Sequence, residues 1–115
     1  MGLNRFIVAG YVGRDPEPFE ANGNSYAGFT LAESLGKDKD GVEQTAWHQV
    51  SAGGKQAETI LKHVKKGDKL VVDGKATASV YMNKDNQVVP QMKIWLSAFE
   101  FASSKNEEIT VDPAE

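Results

Sequence analysis

The sequence has no cysteine, so disulfides and thiolate metal sites are both excluded. Histidine is scarce as well: His48 and His63 are the two in the chain, too few for a structural metal site built on imidazoles. No metal and no other cofactor is implied. Long apolar runs are missing; none reaches the roughly 18 residues of a membrane span, and no basic start leads into an apolar stretch and a cleavage site. The expected setting is the cytoplasm, with no membrane partner. At 115 residues the chain has room for one domain and one core.

An excess of positive charge is missing too. The formal net charge of −3 argues at first against a polyanion partner, but its distribution matters more than its sum. Residues 103–115, SSKNEEITVDPAE, set Lys105 against Glu107, Glu108, Asp112 and Glu115, which leaves the first 102 residues with 12 basic and 12 acidic side chains. The body of the chain is neutral. Within it, Lys55, Lys62, Lys65, Lys66, Lys69 and Lys75 outnumber Glu58, Asp68 and Asp73, concentrating positive charge between Thr45 and Lys75. A solvated face that keeps a small protein soluble would account for such a cluster equally well.

What the chain does have is β-type alternation. LNRFIVAGYVG, Leu3 to Gly13, places Ile7, Ala9 and Tyr11 on one face and Phe6, Val8 and Val12 on the other. Both faces are apolar. One lines a core, and the other calls for a cover, for which a second copy of the chain is the economical candidate. Asp15-Pro16 and Asn22-Gly23 are turn signals, the latter favouring a tight hairpin before the strand SYAGFTLAES. Leu35 to Gly41 reads as a charged, mobile loop, and QTAWHQVSA returns to strand character.

Gly53-Gly54 breaks that strand, and Lys55 to Lys66 then sets Ala57, Ile60, Leu61 and Val64 at the spacing of a one-sided helix ended by Gly67. Lysines in its last turn would complement the negative end of the helix dipole. KLVVDGKATASVYM, a polar turn at Asn83 to Asn86 and VVPQMKIWLSAFEF form a long hairpin, whose arm near Pro90 is an edge or a bulge because proline cannot donate a ladder hydrogen bond. Three strands, one helix and two strands make an all-β chain in the order of a five-stranded Greek-key OB barrel, with the helix between strands three and four. After Phe101 the apolar pattern stops. The expected division is an OB domain over 1–102 and an acidic, disordered tail over 103–115.

Enzymatic chemistry finds little support. Gly53-Gly54-Lys55 before a helix lacks the earlier glycine and the following hydroxyl of a phosphate-binding loop, since Gln56 follows the lysine. His48 and His63 have no Ser–Asp arrangement near them, and Glu33, Glu43 and Glu58 are spaced so that no two reliably share a face. Nucleic acid fits better: an OB barrel offers a groove in which aromatic rings stack on bases while lysines track phosphates. Trp47 and Tyr81 are the candidate stacking residues. The bland alternatives are a core role for Trp47 and a hairpin-capping role for Tyr81. Trp95 lies opposite Ile94 and Leu96, on a face that alternation leaves unassigned between barrel, interface and groove.

NRFIVAGYVGRDPE, ANGNSYAGFTLA, TAWHQV, GKQAE and KKGDKLVVDGK, in this order and spacing, resemble the bacterial single-stranded DNA-binding protein family over about residues 3–101. The resemblance implies an OB barrel, a homo-oligomer (a tetramer before a dimer), and sequence-tolerant coating of single-stranded DNA in replication, recombination and repair, without catalysis. Carried over residue by residue, it implies that Trp47 stacks on a base and that Tyr81 stands where the family has another tryptophan. The basic positions it implies as DNA contacts are Arg5, Lys55 and Lys66, with Lys37, Lys39 and Lys75 nearby.

The chain also departs from the family. Leu35-Gly36 and Gly53 stand where the family has a tryptophan and a phenylalanine, Gln49 stands for an arginine, and the arm KATASV is less basic. VDPAE keeps acidity but not the Pro-Phe tip through which replication or repair proteins would be recruited. The thinned aromatics leave a second function class open, an OB module used mainly for protein contacts, as in primosome accessory proteins.

Overall fold

The computed structural model describes residues 4–103. Six strands and one helix follow in the order β1 (Phe6–Val12), β2 (Glu17–Ala21), β3 (Asn24–Lys37), β4 (Glu43–Gly53), α1 (Gly54–His63), β5 (Lys69–Met82) and β6 (Val88–Ser103). Neighbouring strands run β1-β5-β6-β4-β3, and a short β1–β3 pairing, Tyr11 with Ala32 and Val12 with Leu31, closes these five into a ring. A Cβ on Gly10 would lie 2.5 Å from the carbonyl oxygen of Ala32, so the missing side chain there is what lets β1 approach β3 and complete the closure. The contact between β4 and β6 is parallel and the others are antiparallel. This is the expected five-stranded OB barrel, with the helix between its third and fourth strands.

Alternation decides which side chains go inside. Along β1 the buried residues are Val8, Gly10 and Val12, while Ile7 and Tyr11 face outward, 58% and 51% exposed. Phe29 and Leu31 of β3, Val50 of β4, Leu70 and Val72 of β5 and Ile94 of β6 meet in the barrel interior. The helix closes one end by burying Ala57 and Ile60, with Val64 just past its last turn. Full burial of a side chain such as Ile60 is worth about 1.5–3 kcal/mol.

Three details differ from the sequence expectation. β2 is an additional short strand on the outer edge of β3; its five residues are all exposed, so it carries no apolar alternation to read. The Asn22-Gly23 hairpin is present, both residues at positive φ (52° and 81°), as a two-residue turn of this hand requires. The helix ends at His63 and not Lys66, because Val64 turns to extended backbone. Lys65 and Lys66 therefore lie beyond the last turn, where their backbone N–H groups donate to carboxylates of Asp68 (2.9 Å) and Asp15 (2.8 Å); the dipole argument holds for Lys62 and His63 only. Finally, β3 runs on to Lys37 and absorbs much of the expected loop. The remainder folds around Asp38, whose Oδ1 accepts from the N–H groups of Asp40 (2.8 Å) and Val42 (2.9 Å). The expected tail from residue 104 onward lies outside the described residues.

Candidate nucleic-acid interface

β4 sends His48, Val50 and Ala52 inward and Trp47, Gln49, Ser51 and Gly53 outward. Trp47 is therefore a surface residue, 49% exposed, and the core alternative for it falls away. Beyond Gly74, β5 leaves β1 and pairs with β6 alone, so the hairpin from Thr77 to Gln91 stands out from the barrel as a two-stranded arm. Pro90 pairs with Val80 in that arm, beyond the stretch of β6 that meets β4, which is the edge setting that proline tolerates.

The arm and β4 bound a cleft of about 560 Å³, with Trp47 on one wall and Tyr81, 44% exposed, on the other. The same two rings border an adjoining depression floored by Thr30, Gln49 and Gln91 and edged by Arg14. Two exposed aromatic residues thus share a concave, mostly uncharged surface with a cation at its rim. Such a surface can hold planar rings by stacking and polar edges through amides.

The predicted cations are spread more widely than the aromatics. Arg5 reaches across to Asp73, with Nη2 donating to Oδ2 at 2.7 Å and Nε to both carboxylate oxygens at 3.1 Å. That hydrogen bonding, reinforced by charge, raises the guanidinium pKa and lowers that of the Asp73 carboxyl. The pair lies beside Ile7, on the β1–β5 side of the barrel. Lys66 sits in the turn that ties the helix end to Asp15, and Lys37 and Lys39 belong to the end of β3 and the loop after it. Lys55 occupies the first turn of α1, and Lys75 pairs with Trp95 across β5 and β6. None of these six borders the Trp47–Tyr81 cleft or the depression beside it; Arg14, which the sequence reading passed over, borders the depression.

Trp95, left unassigned by alternation, is 47% exposed on the outer face of β6. His48 points the other way, buried beneath Trp47, with Nε2 2.9 Å from Oε1 of Glu33 and its ring edge-on to Phe6. Its Nδ1 is buried with no hydrogen-bond partner among the described residues. The His48–Glu33 pair was not foreseen, because it joins side chains of two strands and depends on their register, in which His48 faces Leu31 and Glu33 faces Ala46. Among the described residues no three His, Asp or Glu converge as a metal site would require, and no helix is long and apolar enough to cross a membrane.

Residues 3–102 match the model of the single-strand binding protein family. The chain is similar to single-stranded DNA-binding protein 1 of Chlorobaculum tepidum, 42% identical over 78 residues, a match that covers 64% of this chain and 48% of that protein. It spans about half the length of the curated relatives it matches. Its fold is similar to that of a small single-stranded DNA-binding protein from Streptomyces coelicolor, with a TM-score of 0.72 at 19% identity over 88% of this chain and 95% of the other. A Plasmodium falciparum SSB solved with single-stranded DNA gives a TM-score of 0.68 at 23% identity over 90% and 97%.

Proposed function

The chain belongs to the single-strand binding protein family, and from that premise we propose that it binds single-stranded DNA without sequence preference, coating and protecting it in replication, recombination and repair. The observation that carries this reading is the shared cleft of Trp47 and Tyr81, rimmed by Arg14. In single-strand binders as a class, base–aromatic stacking is worth about 1–3 kcal/mol per base and tolerates any base, because every base has a π face. Lys55, Lys75 and the other exposed cations act as phosphate contacts along the path in and out of the cleft. No catalytic step is part of the proposal.

The DNA-binding unit is the barrel, residues 1–102 with Ser103 completing β6, and the acidic segment after it is dispensable for binding because its charge opposes phosphate. The protein acts as a homo-oligomer, a tetramer in preference to a dimer. The outer face of β1, where Ile7 and Tyr11 are exposed, supports this reading, since it is an apolar surface of the kind that a second copy covers. Titrating tryptophan emission with oligo-dT at two salt concentrations tests the central claim. Quenching that saturates, and that weakens as salt rises, is the expected result; no quenching and no complex at low salt would overturn it.

A further inference from the structure

Gly53 has no side chain, yet the place where its Cβ would project is crowded: that position lies 3.2 Å from Cη2 of Trp95 and 3.2 Å from Cδ1 of Tyr26. Tyr26 comes from β3, as the strand partner of Gly53, and Trp95 comes from β6, as the partner of Ser51. Their rings meet edge to face at 5.7 Å and 76°, and Phe19 of β2 extends the row at 5.4 Å from Tyr26. An edge-to-face contact leaves at least one of the two rings with its faces uncovered, and Trp95 remains 47% exposed.

The surroundings of this row have a charge sign. Lys75 and Lys93 border the depression that Trp95 forms with Ser51. Lys55 stands two residues beyond Gly53, at the helix start, which Gln56 holds against β6 by donating to the Ser97 carbonyl at 2.7 Å. Asp15 and Glu17 line a separate depression, with Arg14 among them, that runs from Phe19 to Gln49 and does not include Trp95. The surface is also continuous with the first cleft. Trp47, Gln49, Ser51 and Gly53 alternate along the outer face of β4, so Trp47 and the Ser51–Trp95 pair are separated by roughly 13 Å at about 3.3 Å per residue.

We propose that Trp95, backed by Tyr26, is a second stacking platform for the same DNA strand, which runs from the Trp47–Tyr81 cleft over Gln49 and Ser51 to Trp95, with Lys55, Lys75 and Lys93 on its phosphates. The platform rests on the single-strand binding reading above. It places aromatic surface, supplied by neighbouring strands, beside a position where β4 itself supplies none.

The two tryptophans make the test direct. In full-length Trp47→Phe, Trp95 is the sole tryptophan. A dye-labelled oligo-dT of about 30 nucleotides, longer than the 4–16 nucleotides that one OB fold occupies, is titrated while anisotropy and tryptophan emission are both recorded. Trp95 emission should fall in step with anisotropy. Separately, Trp95→Ala should weaken binding about 5- to 150-fold, the equivalent of one stacked base, and Lys93→Gln should flatten the salt slope by about 0.7. Anisotropy that saturates while Trp95 emission stays unchanged would reject the platform and leave the Trp47 cleft intact. No anisotropy change with the wild-type protein would reject the binding reading and the platform together. If Trp95→Ala instead alters the mass in light scattering while affinity holds, Trp95 belongs to a contact between copies and the platform is rejected. Should Trp95→Ala fail to fold, the single-tryptophan protein, which keeps Trp95, still decides.

Discussion

The indole of Trp47 lies against Gly13. A Cβ built on Gly13 would come within 2.8 Å of Cζ3 of Trp47 and 2.7 Å of Oγ1 of Thr30. The residue just after β1 therefore sets where a ring on β4 can rest. Gly13→Ala should displace that ring and weaken oligo-dT binding by up to the value of one stacked base, about 1–3 kcal/mol. Anisotropy titrations of the two proteins check this; equal affinities would show that the Gly13 contact does not position the ring.

Trp47→Ala and Tyr81→Ala should each cost about 1–3 kcal/mol of single-strand affinity and leave the salt slope nearly unchanged, because stacking releases no counterions. Both side chains are close to half exposed, so melting temperatures should move far less than for a large-to-small change in the core. Melting and affinity measured on the same samples separate the two effects.

Cation removal should show the opposite pattern. Arg14→Ala and Lys75→Ala should each flatten the plot of log affinity against log salt by about 0.7, the single-strand value per phosphate contact, with little change in base preference. A slope unchanged in either variant would remove that residue from the phosphate path.

Arg5 and Asp73 give a pH-dependent expectation for stability. The Arg5 hydrogen bonds, with desolvation opposing and charge assisting, hold the Asp73 carboxyl below its ordinary value of 3.8. A carboxyl lowered in the folded state stabilises the fold fully above its unfolded value and loses that contribution as pH falls through the folded one. Urea unfolding curves of wild type and Arg5→Gln should therefore differ at neutral pH and converge in acid well below the ordinary carboxylate range. Curves equally far apart at both pH values would point to a packing role for the Arg5 stem.

Ile60→Ala tests the helix as the plug of the barrel. The side chain is fully buried, and its truncation should cost about 2–5 kcal/mol of stability, read from the denaturant midpoint.

The barrel was legible in the sequence because burial alternates cleanly along its strands: Val8, Val12, Val50, Leu70, Val72, Ile94 and Leu96 all point inward on a period of two. β2 was not legible, since EPFEA is exposed throughout and is held only by its pairing with β3. The helix end was overrun because Val64 fits the apolar period of the helix although its backbone has already turned extended. At the candidate site, Trp47 and Tyr81 were readable as exposed-type aromatics on strands. Arg14 and the Tyr26–Trp95 contact were not, because each joins residues distant in sequence that only the pairing of several strands brings together.

The closing of that ring also bears on how the chain is made. The long partner of β1 is β5, with Phe6 facing Gly74 and Tyr11 facing Lys69. Until β5 has left the ribosome, β1 has only its two-residue pairing with β3, and Val8 has no partner strand to seal it from water. Loop-closure entropy must be met before such distant pairings are rewarded, so this topology folds late and slowly relative to a helical chain of equal length. Between the emergence of Gly53 and that of β5, the nascent chain thus holds an open β3–β4 hairpin with an apolar face uncovered, the stage at which a chaperone would find it.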